Sequence, residues 1–71
     1  FTVTNNAIAN NTNSGGIANG IEVQQLDSSS GNFTIADNTV TGNQLNGISI
    51  SQESTAQGTF NIARNNLSSN G

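Results

Sequence analysis

The feature that most constrains this chain is an internal repeat, because a repeat turns every position into one member of a column. Phe33-Thr-Ile-Ala-Asp-Asn-Thr-Val-Thr-Gly-Asn43 aligns with Phe60-Asn-Ile-Ala-Arg-Asn-Asn-Leu-Ser-Ser-Asn70 at an offset of 27 residues, with Phe, Ile, Ala and both Asn identical. Residues 1–11 match residues 33–43 at an offset of 32, whereas Asn19-Gly20-Ile21-Glu22-Val23 matches Asn46-Gly47-Ile48-Ser49-Ile50 at 27 again. The difference of five residues predicts an insertion between Asn11 and Ala18. Its content, Thr12-Asn13-Ser14-Gly15-Gly16, is turn chemistry and reads as a loop leaving one corner.

The 71 residues therefore read as one segment: a first coil over 1–32 with the insertion near 12–16, a second over 33–59, and a partial third over 60–71. Each coil carries three short apolar patterns: Phe-x-(Val/Ile), a lone aliphatic residue between small ones, and Gly-Ile-x-(Val/Ile). These predict strands of two to five residues, too short to hold as isolated hairpins. Stacking the coils resolves this, since each strand can pair with its counterpart about 4.8 Å away in the next coil. The Asn-Gly pairs at 19–20 and 46–47 fall at corners, where a positive φ is expected of them.

The same alignment defines the expected columns. Inside are Phe1/Phe33/Phe60, Val3/Ile35/Ile62, Ile8/Val40/Leu67, Ile21/Ile48 and Val23/Ile50. At two corners, Asn6/Asn38/Asn65 and Asn11/Asn43/Asn70 are expected to form ladders in which each amide donates to the next carbonyl along the stack. Thr2, Thr4, Thr34, Ala36, Asn61 and Ala63 alternate with the first apolar pattern and are expected to face outward.

An apolar strand, an Asn corner and a Gly-Ile-x-Ile strand in this order resemble the repeat of the pectin-lyase-like superfamily. The resemblance spans nearly the whole chain and implies an all-β, right-handed parallel β-helix of about two and a half coils, with three strands per coil. It does not fix function, because the superfamily holds lyases, hydrolases, phage tailspikes and non-catalytic stalks. Ser14-Gly15-Gly16-Ile17 also matches one signature of autotransporter passengers, but no Phe is followed by Asn three positions on, as their second signature requires.

Composition narrows the functional classes. Only Glu22, Asp27, Asp37, Glu53 and Arg64 are charged, for a net charge of -3, and such a chain lacks the clustered cations of a nucleic-acid surface. Cys and His are absent, which removes disulfides, thiolate metal sites and the commonest general base. No apolar run is long enough to span a membrane.

Within the stack, register brings one pair of opposite charges together, Asp37 and Arg64, with Asn5 at the same place in the first coil. The superfamily resemblance offers these as a calcium ligand and a proton-abstracting base. One carboxylate falls short of the roughly six to eight oxygens of a calcium site, so a cross-coil ion pair is the expectation. Glu22 and Asp27 have Ser49 and Ser54 as repeat-mates and do not make the paired carboxylates of a glycosidase. Ser28 to Ser30 have no activating base and read as turn residues. The outward Thr-x-Thr of the first coil could order ice but is not repeated in the other coils.

The sequence thus favours a non-enzymatic structural segment of a secreted or cell-surface fibre, adhesin or stalk, without cofactor or metal. The alternatives are a non-catalytic slice of a β-helical lyase or hydrolase and, as a minor one, an ice-binding face. Solenoids carry polar caps and this pattern has none, so further coils of the same chain, or copies stacked end to end, are the expected partners. Glycans are a further candidate partner.

Overall fold

The computed structural model describes residues 1–71, and its ordered elements are eight strands with no helix. The first pass of the chain holds β1 (Thr2–Thr4), β2 (Ala7–Ala9) and β3 (Ile21–Gln25). The second holds β4 (Ser30–Ala36), β5 (Thr39–Thr41) and β6 (Ile48–Gln52), and the third holds β7 (Gln57–Ala63) and β8 (Asn66–Ser68). Each strand pairs in parallel with its counterpart one pass later, giving sheets ordered β1-β4-β7, β2-β5-β8 and β3-β6.

Register follows the repeat residue by residue. Val3 pairs with Ile35 and Ile35 with Ile62; Ile8 pairs with Val40 and Val40 with Leu67; Ile21 pairs with Ile48. The change of offset is visible in the backbone: adjacent Gln44 and Leu45 donate their N–H groups to Asn11 and Ala18, both at 2.9 Å, so the loop departs between those two carbonyls. Gln57, Gly58 and Thr59 pair with Ser30, Gly31 and Asn32, which lengthens β4 and β7 to seven residues. Ser30 is therefore the first residue of a strand rather than part of a turn; only Ser28 and Ser29 turn, with the Ser29 hydroxyl donating to the Leu26 carbonyl at 2.7 Å.

The core is a cluster of Ile21, Val23, Ile35 and Val40, with Val3, Ile8, Phe33, Ile48 and Phe60 packed against it. Its centre lies in the second pass, where Ile35 and Val40 are fully buried, while Ile62 and Leu67 in the same columns are 42% and 46% exposed. The Phe column flanks this core rather than filling it. Phe33 stacks on Phe60 at 5.0 Å and meets Phe1 edge-on at 5.4 Å; Phe33 and Phe60 are half-buried, and Phe1 stays 64% exposed. Ala36 also departs from expectation, being buried rather than outward-facing. Its methyl lies between Thr4 and Ala63 in register, and a group that small is covered by its neighbours alone.

Positive φ does not occur at Asn19-Gly20 or Asn46-Gly47. It occurs in three other columns: Asn5, Asp37 and Arg64; Asn10, Gly42 and Ser69; Asp27 and Ser54. In the first two columns the left-handed residue immediately precedes a ladder Asn and turns the chain from one sheet into the next. Gly20 is required instead by space. A Cβ there would lie 2.6 Å from Val40 Cγ1 and 2.7 Å from the Gly47 carbonyl, and Gly47 faces Leu67 and Asn70 in the same way.

Candidate functional site: the amide columns and the corner ion pair

The polar chemistry of the molecule is concentrated at its corners. A left-handed residue swings the next side chain inward, and the chain places Asn there in all three passes. Asn6 Nδ2 donates to Asn38 Oδ1 at 3.2 Å, and Asn38 Nδ2 donates to Asn65 Oδ1 at 3.0 Å. Each receiving oxygen also accepts the donor residue's own backbone N–H, at 3.0 and 3.1 Å. The remaining amide hydrogen is used as well: Asn38 Nδ2 reaches the Val3 carbonyl at 3.0 Å and Asn65 Nδ2 the Ile35 carbonyl at 2.9 Å.

The second corner repeats the scheme. Asn11 Nδ2 donates to Asn43 Oδ1 at 2.7 Å and Asn43 Nδ2 to Asn70 Oδ1 at 2.9 Å, with the backbone N–H groups of Asn11 and Asn43 on the same oxygens. Asn38 and Asn43 are 1% and 2% exposed, so these amides stand where an unpaired polar group would cost about 1–3 kcal/mol each. No buried side-chain nitrogen or oxygen lacks a partner.

Two amide columns lie beyond those named from the sequence. Gln52 Nε2 donates to Gln25 Oε1 at 2.9 Å, and buried Gln25 in turn donates to the Gln57 carbonyl at 2.6 Å. Asn46 N–H donates to Asn19 Oδ1 at 3.0 Å. Both pairs are identical residues 27 apart, so the repeat offset was the signal that could have found them. Their donation runs from the second pass to the first, opposite in direction to the Asn ladders.

Asp37 and Arg64 meet on the surface. Arg64 Nε donates to Asp37 Oδ1 at 2.7 Å and Arg64 Nη2 to Oδ2 at 3.0 Å, a two-pronged contact between side chains 39% and 70% exposed. Those hydrogen bonds hold the Asp37 carboxyl below its ordinary range, opposed by desolvation and helped by the Arg64 charge. The Arg64 guanidinium is raised in turn, chiefly by its hydrogen bonds to Asp37. The pairing neutralises both groups against each other.

The other acids stand apart. Glu22 faces outward from β3 and accepts from Asn19 Nδ2 at 3.4 Å, while Asp27 occupies a left-handed turn whose carbonyl accepts from the Thr55 hydroxyl at 3.1 Å. No three acids gather within reach of one metal ion. The one surface depression is lined by Ser30, Gly31, Asn32, Gln57, Gly58 and Thr59, all polar or glycine, with Thr59 Oγ1 donating to Asn32 Oδ1 at 2.6 Å.

The inserted loop is organised by Asn13. Its backbone N–H donates to Gln44 Oε1 at 2.7 Å, its Oδ1 accepts from Ile17 N–H at 3.1 Å, and its carbonyl accepts from Gly16, whose φ is +74°. This turn leaves Ile17 64% exposed. No helix is long and apolar enough to cross a membrane. Comparison with protein-family models, with curated proteins and with solved structures finds no match to this chain.

Proposed function

We propose that this chain is a non-enzymatic structural segment of a right-handed parallel β-helix, serving rigid extension in a secreted or cell-surface fibre, adhesin or stalk. The observation that carries the reading is the use to which the polar side chains are put. The Asn ladders, the Gln25–Gln52 contact and the Asp37–Arg64 pair all join one pass of the chain to the next. A catalytic surface would hold such groups apart, aimed at a substrate, whereas here they hold layers together. Neutral amides in place of charges also suit an exported rod.

The test is direct imaging and diffraction of the parent assembly. A thin rod whose fibre pattern carries a meridional spacing of about 4.8 Å is the expected result. A globular particle that releases unsaturated or hydrolysed sugars from acidic polysaccharides would overturn the proposal.

A further inference from the structure

Three asparagines are followed two residues later by a hydroxyl: Asn10-Asn11-Thr12, Asn32-Phe33-Thr34 and Asn66-Leu67-Ser68, each the acceptor pattern for an N-linked sugar. None of them belongs to the two Asn ladders. The strand pleat sends a residue and its second neighbour to the same side, so an inward Asn is followed by a core side chain and an outward one can be followed by Thr or Ser. Ile8, Val40 and Leu67 accordingly stand two residues after Asn6, Asn38 and Asn65.

The acceptor nitrogens are also free. Nδ2 of every ladder Asn donates to a side-chain or backbone oxygen of another pass, whereas Asn10, Asn32 and Asn66 are exposed and their Nδ2 atoms make no hydrogen bond. Asn32 uses its oxygen instead, accepting from Thr59 Oγ1 at 2.6 Å, and Asn10 Oδ1 rests against Gly42, where a Cβ would meet it at 2.5 Å. These side chains leave the flank of the stack, and flank exposure survives stacking: Thr39, paired with Ala7 on one side and Asn66 on the other, is exposed as well.

We infer that Asn10, Asn32 and Asn66 are N-glycosylation sites, whose glycans sheathe the flanks of the coil without breaking any contact between its passes. This rests on the secreted or cell-surface reading above and adds to it a covalent partner, an oligosaccharide carried on a polyprenyl pyrophosphate. In the transfer, Nδ2 attacks the anomeric carbon of that sugar. The C–N bond forms as the C–O bond to pyrophosphate breaks, the pyrophosphate leaves with the bonding pair, and Nδ2 gives up one proton to the transferring enzyme. A glycan is bulky and polar, so in the folded chain it needs a nitrogen that already faces solvent.

The test is to send the 71-residue chain, behind an added export signal, through a eukaryotic secretory pathway and to release its glycans enzymatically in heavy-oxygen water, which converts each occupied Asn to labelled Asp. Label is expected at Asn10, Asn32 and Asn66, and Thr12→Ala, Thr34→Val and Ser68→Ala should each remove one glycan. Release should leave the urea midpoint unchanged. Leu45→Thr creates the same pattern at buried Asn43, and there an attached glycan should lower the midpoint relative to Leu45→Val or keep the chain from being secreted. A bare residue at any of the three positions overturns its assignment, and a midpoint that rises on release, or an occupied Asn43 with the midpoint of Leu45→Val, overturns the structural argument. Because the export signal is supplied, these results judge the acceptor sites alone; fractionation of the source cells tests the secreted reading separately.

Discussion

The second pass and its two neighbours are built from nearly the same residues, yet they live in different environments. Ile35 is fully buried and Ile62, in the same column, is 42% exposed; Asn38 is buried, while Asn6 is exposed. Nothing in the side chains accounts for this. A residue with a paired strand on both sides loses its water, and one with a strand on a single side keeps half of it. In a stack, burial is a property of layer position as much as of residue type.

The largest expected contrast comes from the apolar column. Ile35→Ala should lower stability by about 2–5 kcal/mol, and Ile62→Ala by less than about half of that, since its site is already half open to water. Urea unfolding at fixed chain concentration measures both, and equal losses would mean that the third-pass face is covered in solution.

Next come the ladders. Asn38→Ala removes two acceptor contacts from Asn6 and two donations, to Val3 and Asn65, and should cost about 2–3 kcal/mol. Asn6→Ala removes only its own two side-chain donations at an exposed site and should cost less than about 1 kcal/mol by the same measurement.

The left-handed corner gives a smaller pair of opposite sign. Gly42→Ala puts a Cβ at φ +65° and 2.5 Å from Asn10 Oδ1, and should destabilise by about 1–2 kcal/mol or more. Ser69 holds the same corner one pass later at φ +56°, so Ser69→Gly should raise stability by up to about 1 kcal/mol, read as a higher urea midpoint.

The smallest effect is the ion pair, which is exposed and screened. Asp37 has a lowered pKa in the folded chain, so its contribution is present above the ordinary carboxylate range and is lost as pH falls through the depressed folded value. Arg64 is raised, and its contribution persists until pH climbs past the guanidinium range. The difference in urea midpoint between the parent and Asp37→Asn should therefore be small near neutrality, shrink with added salt, and vanish in acid.

Much of this molecule was legible in the sequence because a repeat is a statement about register. Once Phe33 is aligned with Phe60 and Asn38 with Asn65, parallel pairing, the Asn columns and the meeting of Asp37 with Arg64 follow from the repeat, and the loop between Asn11 and Ala18 follows from the change of offset from 32 to 27. Gln25 and Gln52 obey the same offset and were readable in principle, but glutamine within a strand carries no corner signal of its own.

What only the tertiary structure decided is where backbone strain and burial fall. The left-handed turns sit in the columns Asn5/Asp37/Arg64, Asn10/Gly42/Ser69 and Asp27/Ser54 rather than at the Asn-Gly pairs; in the first two columns the corner aims the following Asn inward, and at Arg64 and Ser69 that need outweighs local preference. Gly20 and Gly47 are glycines for lack of room beside Val40 and Leu67, a fact set by the neighbouring pass. Sequence determines which residues share a column; the layers above and below determine what each member of that column experiences.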